Sequence, residues 1–412
     1  MIWRTPFNAL MTVPATIAIG IGLLALPTIW LESWLGTPDW LEALDTGAVR
    51  VLLSVVAGGA MTALTLTFSL TLVVFTLAAS SIGPRLLKRF TTDRVNQVTS
   101  GILGGTFLYA LVGIVFSGAQ PSRFAALGAG LLAVTSVVQL IWFVRSVAQS
   151  VSVDDEIAQI TVRLRGELAR LNSNQSPSDD LPPDADFRPV VHAQSAGYIA
   201  EVKRQVLCSL ADANDIVIRI EYVAGHYLLE GAVIASVAGE VDEETTARLA
   251  ELITQEPARS DAGNVHFSVN LLVEIALRAL SPGINDTFTA LAVADLLSGA
   301  LAEIADGAVR PEVITGAGDK ARLLLPGVAL RPIFGQAFHP LRRAAANNVL
   351  MAQGLARAYA RLFEIGGTET RDVMADHARL LMADLARAAH LEADLNSVGE
   401  LFPAEMRRLA DI

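Results

Sequence analysis

One apolar run, residues 51–81, constrains the fold more than any other feature of this sequence. It follows Arg50 and contains no charged residue. At about 1.5 Å per residue, a helix of this length exceeds the roughly 30 Å hydrocarbon core of a bilayer. Because unpaired backbone groups are very unfavourable in lipid, the run is predicted to form a membrane-spanning helix.

Three further stretches lack Asp, Glu, Lys, Arg and His, so the sequence predicts four transmembrane helices. The predicted spans are residues 9–31, 51–81, 99–117 and 124–144, within a membrane domain at residues 1–149. The first span follows Arg4 and lacks an Ala-x-Ala type end. We therefore expect a retained helix and not a cleaved signal.

The second span has an unusual number of hydroxyl side chains. At about 100° per residue, they gather with Gly58 within about a quarter of the helix circumference, so this face should meet protein or water. Two interpretations stay open: a packing face for neighbouring helices, or the lining of a pore in an oligomer. The predicted lining residues are Ser54, Thr62, Thr65, Ser69, Leu72, Val73 and Thr76.

The third span has small residues at every fourth position. Gly101, Gly105 and Gly113 fall on one face together with Tyr109. This spacing lets another helix approach closely and predicts a packing groove.

The loop after the second span carries a basic cluster, Arg85, Lys88 and Arg89. By the positive-inside rule this loop is cytoplasmic, which predicts a multi-pass membrane protein with both termini in the cytoplasm. The cluster has two interpretations: a topology determinant that touches lipid phosphates, or a cytoplasmic pore mouth that concentrates anions.

The charge distribution separates a membrane half from an acidic half. Residues 1–149 carry eight Lys or Arg and five Asp or Glu, whereas residues 150–412 carry 23 and 37. Such an acidic half is repelled by nucleic acid and by anionic lipid, so we expect it to bind neither. The single cysteine, Cys208, is compatible with a reducing compartment.

The acidic half is predicted to be an α+β domain with a C-terminal helical bundle, in the cytoplasm. A helix and a disordered linker are predicted at residues 150–188, a small β-rich module at 189–240 and a mostly helical domain at 241–412. The first helix has an apolar stripe from Val153 to Leu171, which indicates either a continuation of the fourth span or an oligomer seam.

Shorter elements follow from local patterns. Helices are predicted at residues 203–214, 242–256, 271–280, 339–365, 370–391 and 395–409, and strands at 189–202, 215–222, 231–237 and 265–269.

A helix corner at residues 281–287 separates two apolar helices. Pro282 and Gly283 stop the first helix, and a polar side chain can cap the second. With an i,i+4 pair on the preceding helix, the corner could hold a small ligand or ion, or it could be structural. The residues concerned are Glu274, Arg278, Ser281, Asn285 and Asp286.

The corner also carries a family resemblance. Residues 273–290 read VEIALRALSPGINDTFTA. This segment resembles the signature of the DUF2254 family of predicted bacterial membrane proteins, as do the PRLL loop at residues 84–87 and the Gly197-Tyr198 strand. Thr287 departs from the proline expected there. The resemblance implies four membrane spans and a cytoplasmic C-terminal domain, and it implies no established activity.

Catalytic signatures are absent from the sequence. It contains no phosphate-binding glycine loop, no His-Glu-x-x-His and no Gly-x-Ser-x-Gly, and its six histidines are scattered. We therefore expect no enzyme, cofactor or metal.

Two functional hypotheses remain. The spans lack the membrane-buried charge of a coupled transporter. The first hypothesis is a homo-oligomeric passive ion channel that is gated by its cytoplasmic domain. The second is a non-conducting membrane sensor or scaffold, whose cytoplasmic domain binds a small ligand or a protein.

Overall fold

The computed structural model consists of two compact units, Met1–Val153 and Asp154–Ile412. It describes residues 6–38, 41, 45–81, 94–116, 122–150, 153–173, 186–222, 224–257, 265–307, 312–327, 329–388 and 390–412.

The described part of the first unit is helical. Its helices are α1 (Pro6–Leu23), α2 (Ala25–Leu35), α3 (Thr46–Ser81), α4 (Arg94–Phe116) and α5 (Arg123–Ser150). The predicted first span is divided at Leu24 into two helices. The second and fourth predicted spans lie within α3 and α5, and the third lies within α4 apart from residue 117, which is outside the described residues. Four stretches of this unit are long and apolar enough to cross a membrane. In the second unit, Thr287–Ile304 also meets these criteria of length and composition.

The predicted glycine groove of α4 receives α1. A methyl group at Gly101 would lie 2.7 Å from Cβ of Ile17, and one at Gly105 would lie 2.7 Å from Cβ of Ile21. Real carbon atoms do not approach so closely, so a larger residue at either position would push α1 away. The packing interpretation of this face is confirmed.

The second unit contains α6 (Val153–Ser173), and the middle of its predicted apolar stripe is buried. Ile157, Ile160, Leu164 and Leu168 are almost fully inaccessible. The Ser268 hydroxyl donates to the Glu167 carboxylate at 3.0 Å, within the same unit. The stripe is therefore occupied inside the chain, and its interpretation as an oligomer seam is wrong.

Two sheets follow α6. The strands are β1 (Arg188–His192), β2 (Gly197–Val202), β3 (Val217–Ile220), β4 (Tyr227–Leu228), β5 (Val233–Ala238), β6 (Ile253–Glu256), β7 (Glu312–Thr315) and β8 (Ala321–Leu325). One sheet has the order β1-β5-β3-β8-β7, and the other has the order β4-β2-β6. All neighbours are antiparallel apart from the parallel pair β3 and β8.

The sheets share one core with α7 (Arg204–Ala213) and α8 (Glu243–Glu251). Ile199, Leu207, Ile218 and Leu249 are buried together in it. Because β6, β7 and β8 come from residues after 240, the sheets cross the predicted boundary between a β-rich module and a helical domain. The predicted helix at 242–256 is wrong in its last turn, where β6 pairs with β2.

Helices form the rest of the unit. They are α9 (Val265–Ala279), α10 (Thr287–Leu301), α11 (Leu330–Ala345), α12 (Val349–Ile365), α13 (Thr368–Arg387), α14 (Glu392–Gly399) and α15 (Ala404–Ala410). The strand predicted at 265–269 is wrong, because these residues belong to α9. The predicted helix at 339–365 is two helices, separated by a cap in which Asn348 accepts from the Met351 amide at 3.0 Å. The helix predicted at 395–409 is also divided into two helices, α14 and α15.

Candidate functional site

The hydroxyl stripe of α3 lies on the surface of the first unit. Every predicted lining residue is exposed: Ser54, Thr62, Thr65, Ser69, Leu72, Val73 and Thr76. A methyl group added at Gly58, in the same stripe, would have no atom of another described segment within 4 Å. No described helix of the first unit therefore covers this face.

The other side of α3 is the side that packs within the unit. Leu53, Ala57, Ala60 and Val74 are buried there, and Leu53 lies against Gly113 of α4. A helix that packs on the hydroxyl stripe would have to come from another chain, or from residues outside the described ranges. Both interpretations of the stripe, packing face and pore lining, therefore concern contacts beyond the described helices of one chain.

The hydroxyl groups of the stripe donate to carbonyls of their own helix. The Thr62 hydroxyl donates to Gly58 O and the Thr65 hydroxyl to Met61 O, each at 2.9 Å, and Ser54 does the same to Arg50 O at 2.8 Å. These bonds use the proton and leave lone pairs on each oxygen. The face thus presents uncharged acceptor oxygens, a chemistry that suits water or a partly hydrated cation.

A second set of polar side chains joins α3, α4 and α5 inside the unit. The contacts are Thr71 to Asn96 at 3.3 Å, Gln139 to Thr99 at 3.0 Å and Thr106 to Ser136 at 3.0 Å. These contacts were not predicted from the sequence. Asn96, Thr99 and Thr106 lie on one face of α4 at helical spacing, and this spacing could have indicated the contacts.

One carboxylate also ties two apolar helices together. Glu32 of α2 accepts from the Arg123 backbone amide at 3.1 Å and from the Ser122 hydroxyl. It thereby satisfies free amides at the start of α5 and lies at the positive end of that helix dipole. This contact was not predicted from the sequence.

The predicted basic mouth, Arg85, Lys88 and Arg89, lies outside the described residues. Its two interpretations therefore stay predictions.

The helix corner between α9 and α10 is well described. Glu274, Arg278 and Ser281 are half-buried, whereas Asn285 and Asp286 are exposed. The Asp286 carboxylate accepts from the Thr289 amide at 3.1 Å and from the Thr289 hydroxyl at 2.6 Å. These bonds hold the pKa of Asp286 below its usual range and make it the predicted cap of α10.

The backbone amides of the corner are already used. Asn285 N donates to Ser281 O at 2.9 Å and Asp286 N to Ala279 O at 2.8 Å. The amides of Asn285 and Asp286 are therefore not available to a ligand. Ligand binding by the five side chains stays a hypothesis beside the structural interpretation.

Thr287, the departure from the family pattern, has a structural role here. Its hydroxyl accepts from the Asn348 side-chain amide at 2.9 Å, which joins the starts of α10 and α12. A proline at this position has no such acceptor.

Within the described ranges, no three His, Cys, Asp or Glu side chains converge in the way that a metal ion requires.

These features define a class: a membrane protein with several apolar helices, followed by a domain of mixed sheets and C-terminal helices. The chain belongs to the DUF2254 family, whose description is "predicted membrane protein" and whose model matches residues 8–361.

Similar proteins occur in mycobacteria. They include the uncharacterized proteins Rv1290c of Mycobacterium tuberculosis and Mb1321c of Mycobacterium bovis, each 28% identical to this chain over 284 residues. The match covers 65% of this chain and 54% of each relative, so this chain corresponds to about half of their length. No solved structure matches it.

Proposed function

We propose that this protein is a homo-oligomeric, passive ion channel in which α3 lines the pathway. The observation that carries the proposal is the exposed hydroxyl stripe of α3. A row of uncharged oxygens on a membrane helix, uncovered by the described helices of its own unit, is best accommodated where several copies meet around water.

The same stripe offers a place for a gate. Leu72 and Val73 interrupt the hydroxyls, and Leu72 is 65% exposed. A ring of such side chains around an axis would close the pathway by excluding water. In this proposal the second unit is cytoplasmic and controls that ring, and both termini face the cytoplasm of the bacterial inner membrane.

The test is ion flux through the purified protein in planar bilayers, with two pairs of variants. Thr65→Ala and Leu72→Ser alter the stripe, whereas Thr135→Ala and Leu131→Ser make the same changes at exposed positions of α5. We expect discrete currents whose conductance changes in Thr65→Ala and whose open probability rises in Leu72→Ser. The α5 variants should behave like the wild type.

Two results would contradict the channel. One is silence from folded protein across salts, voltages and pH. The other is currents that respond equally to the α3 and α5 variants. Silence would favour the alternative, a non-conducting sensor or scaffold whose second unit binds a small ligand or a protein.

A further inference from the structure

The C-terminal helices contain buried polar atoms that lack hydrogen-bond partners. Among the described residues there are five such side-chain atoms, and all lie between residues 342 and 377. They are Arg342 Nε, Tyr359 Oη, Thr370 Oγ1, Arg371 Nε and His377 Nδ1. Because buried polar groups in folded proteins are almost always paired, this concentration indicates a missing partner and not chance.

Three of these groups come from three helices and are neighbours. Tyr359 of α12 is fully buried and His377 of α13 is 3% exposed. Their ring centroids are 5.4 Å apart, and the ring of Phe338 packs edge-on against both. Arg342 of α11 is close enough for its charge to act on both Tyr359 and His377.

The protonation states define what these atoms need. Burial raises the pKa of Tyr359, so its hydroxyl keeps its proton and can donate. Burial also lowers the pKa of His377 to about 3, so the imidazole is neutral and its Nδ1 can accept. Arg342 Nε can only donate.

The charge balance selects a neutral occupant. Arg342 is paired with the Asp384 carboxylate and also donates to Leu380 O at 3.3 Å. Asp384 also accepts from Arg387 at 3.2 Å, but that arginine is 79% exposed and water screens its charge. The buried pair of Arg342 and Asp384 is itself neutral, so an ion beside it would bring an uncompensated charge into the core.

We propose that the bundle of α11, α12 and α13 binds a neutral hydroxyl group, either water or a small hydroxylated molecule. This group accepts from Tyr359 Oη and Arg342 Nε and donates to His377 Nδ1. Water has two donors and two acceptors, and a hydroxyl group has one donor and two acceptors, so either suffices for all three contacts. The exposed side chain of His339 has its ring centroid 4.5 Å from that of His377, so the site lies close to the surface.

The first test is the thermal midpoint of the full chain with Tyr359→Phe, which keeps the ring and removes the hydroxyl. If the hydroxyl binds an occupant, the midpoint should fall by about 2–4 °C, the shift for one net hydrogen bond in a unit of this size. Tyr222→Phe removes a surface hydroxyl and should leave the midpoint unchanged. An unchanged or raised midpoint in Tyr359→Phe would overturn the proposal, because removing an unpaired buried hydroxyl is neutral or stabilising.

The second test is a crystal structure of the wild-type chain at a resolution that shows ordered water. Electron density for a single oxygen atom beside Arg342, Tyr359 and His377 would identify water. Larger density would identify a bound molecule, which native mass spectrometry of the same preparation should detect. Either finding supports the site. An empty space, or direct pairing of the three groups with one another, would refute it.

Discussion

Two faces of the first unit are exposed to a similar degree but differ in chemistry. On α3 the exposed stripe consists of Ser, Thr and Gly, with Leu72 and Val73 between them. On α5 the exposed residues include Leu127, Leu131, Val134, Val138 and Ile141, and Leu131 is 69% exposed. The α5 face suits acyl chains, whereas the α3 face suits a close helix or water. Exposure in a single chain therefore does not show which helix face meets lipid. The amino-acid composition of each exposed face has to distinguish them.

A single threonine makes the comparison testable. Thr135 lies on the exposed face of α5, and its hydroxyl donates to Leu131 O at 2.9 Å. Thr65 is also exposed, and its hydroxyl makes the same type of bond, to Met61 O at 2.9 Å. A lone hydroxyl that is satisfied by its own helix is tolerated in lipid. The two residues are thus matched in structure and differ in what surrounds them.

The largest difference is expected for aspartate at these two positions. A carboxylate in the middle of a lipid-facing helix costs about 3 kcal/mol of insertion free energy. Thr135→Asp should therefore strongly reduce the protein recovered in washed membranes, whereas Thr65→Asp should retain most of it. Quantitative immunoblotting of the membrane fraction measures both, with Thr135→Asn and Thr65→Asn as uncharged controls. Equal losses for the two aspartates would show that both faces meet lipid.

A smaller but more direct effect is expected from cross-linking. In a Cys208→Ser background, Thr65→Cys should give a disulfide-linked dimer under mild oxidation, because the α3 faces of neighbouring copies meet. Thr135→Cys should remain monomeric on a non-reducing gel. A dimer from Thr135→Cys and none from Thr65→Cys would reverse the assignment of the two faces.

The sequence predicted those features whose cause is local. The charge-free run at 51–81 was predicted to form one long helix, which lies within α3. The spacing of Gly101 and Gly105 predicted a close helical neighbour, which is α1. The hydroxyl stripe could likewise be read from periodicity. The side of α3 that turns toward α4 depends on tertiary packing, so the exposure of the stripe could not be predicted.

Pairing between distant segments explains the larger errors. β8 has only five residues, and its parallel partner β3 lies about 100 residues earlier. No local sequence pattern could therefore predict that the two strands share a sheet. α9 starts with Val265, His266 and Phe267, which favour a strand locally. Val265 and Phe267 are nevertheless buried on a helix, where packing outweighs a weak local preference. At the corner, the residues were predictable, but the bonding of its amides within the turn was not.

The smallest expected effect separates exposed hydroxyls from those that join helices. Thr106 is buried on α4 and pairs with Ser136, which follows Thr135 on α5 and points into the unit. Thr106→Val should lower the free energy of unfolding by about 0.6 kcal/mol, the average for such bonds in membranes. Thr135→Val, which removes a hydroxyl bonded only to its own helix, should change it by less.

Denaturant titration of the purified protein in mild detergent measures both valine variants, and Thr65→Val extends the comparison. If the stripe of α3 acts only between copies, Thr65→Val should leave the unfolding of dilute monomer unchanged and weaken association. A loss of monomer stability as large as that of Thr106→Val would place Thr65 in contacts within the chain. The stripe would then not be an interface between copies, and the proposal that α3 lines a pathway would be refuted.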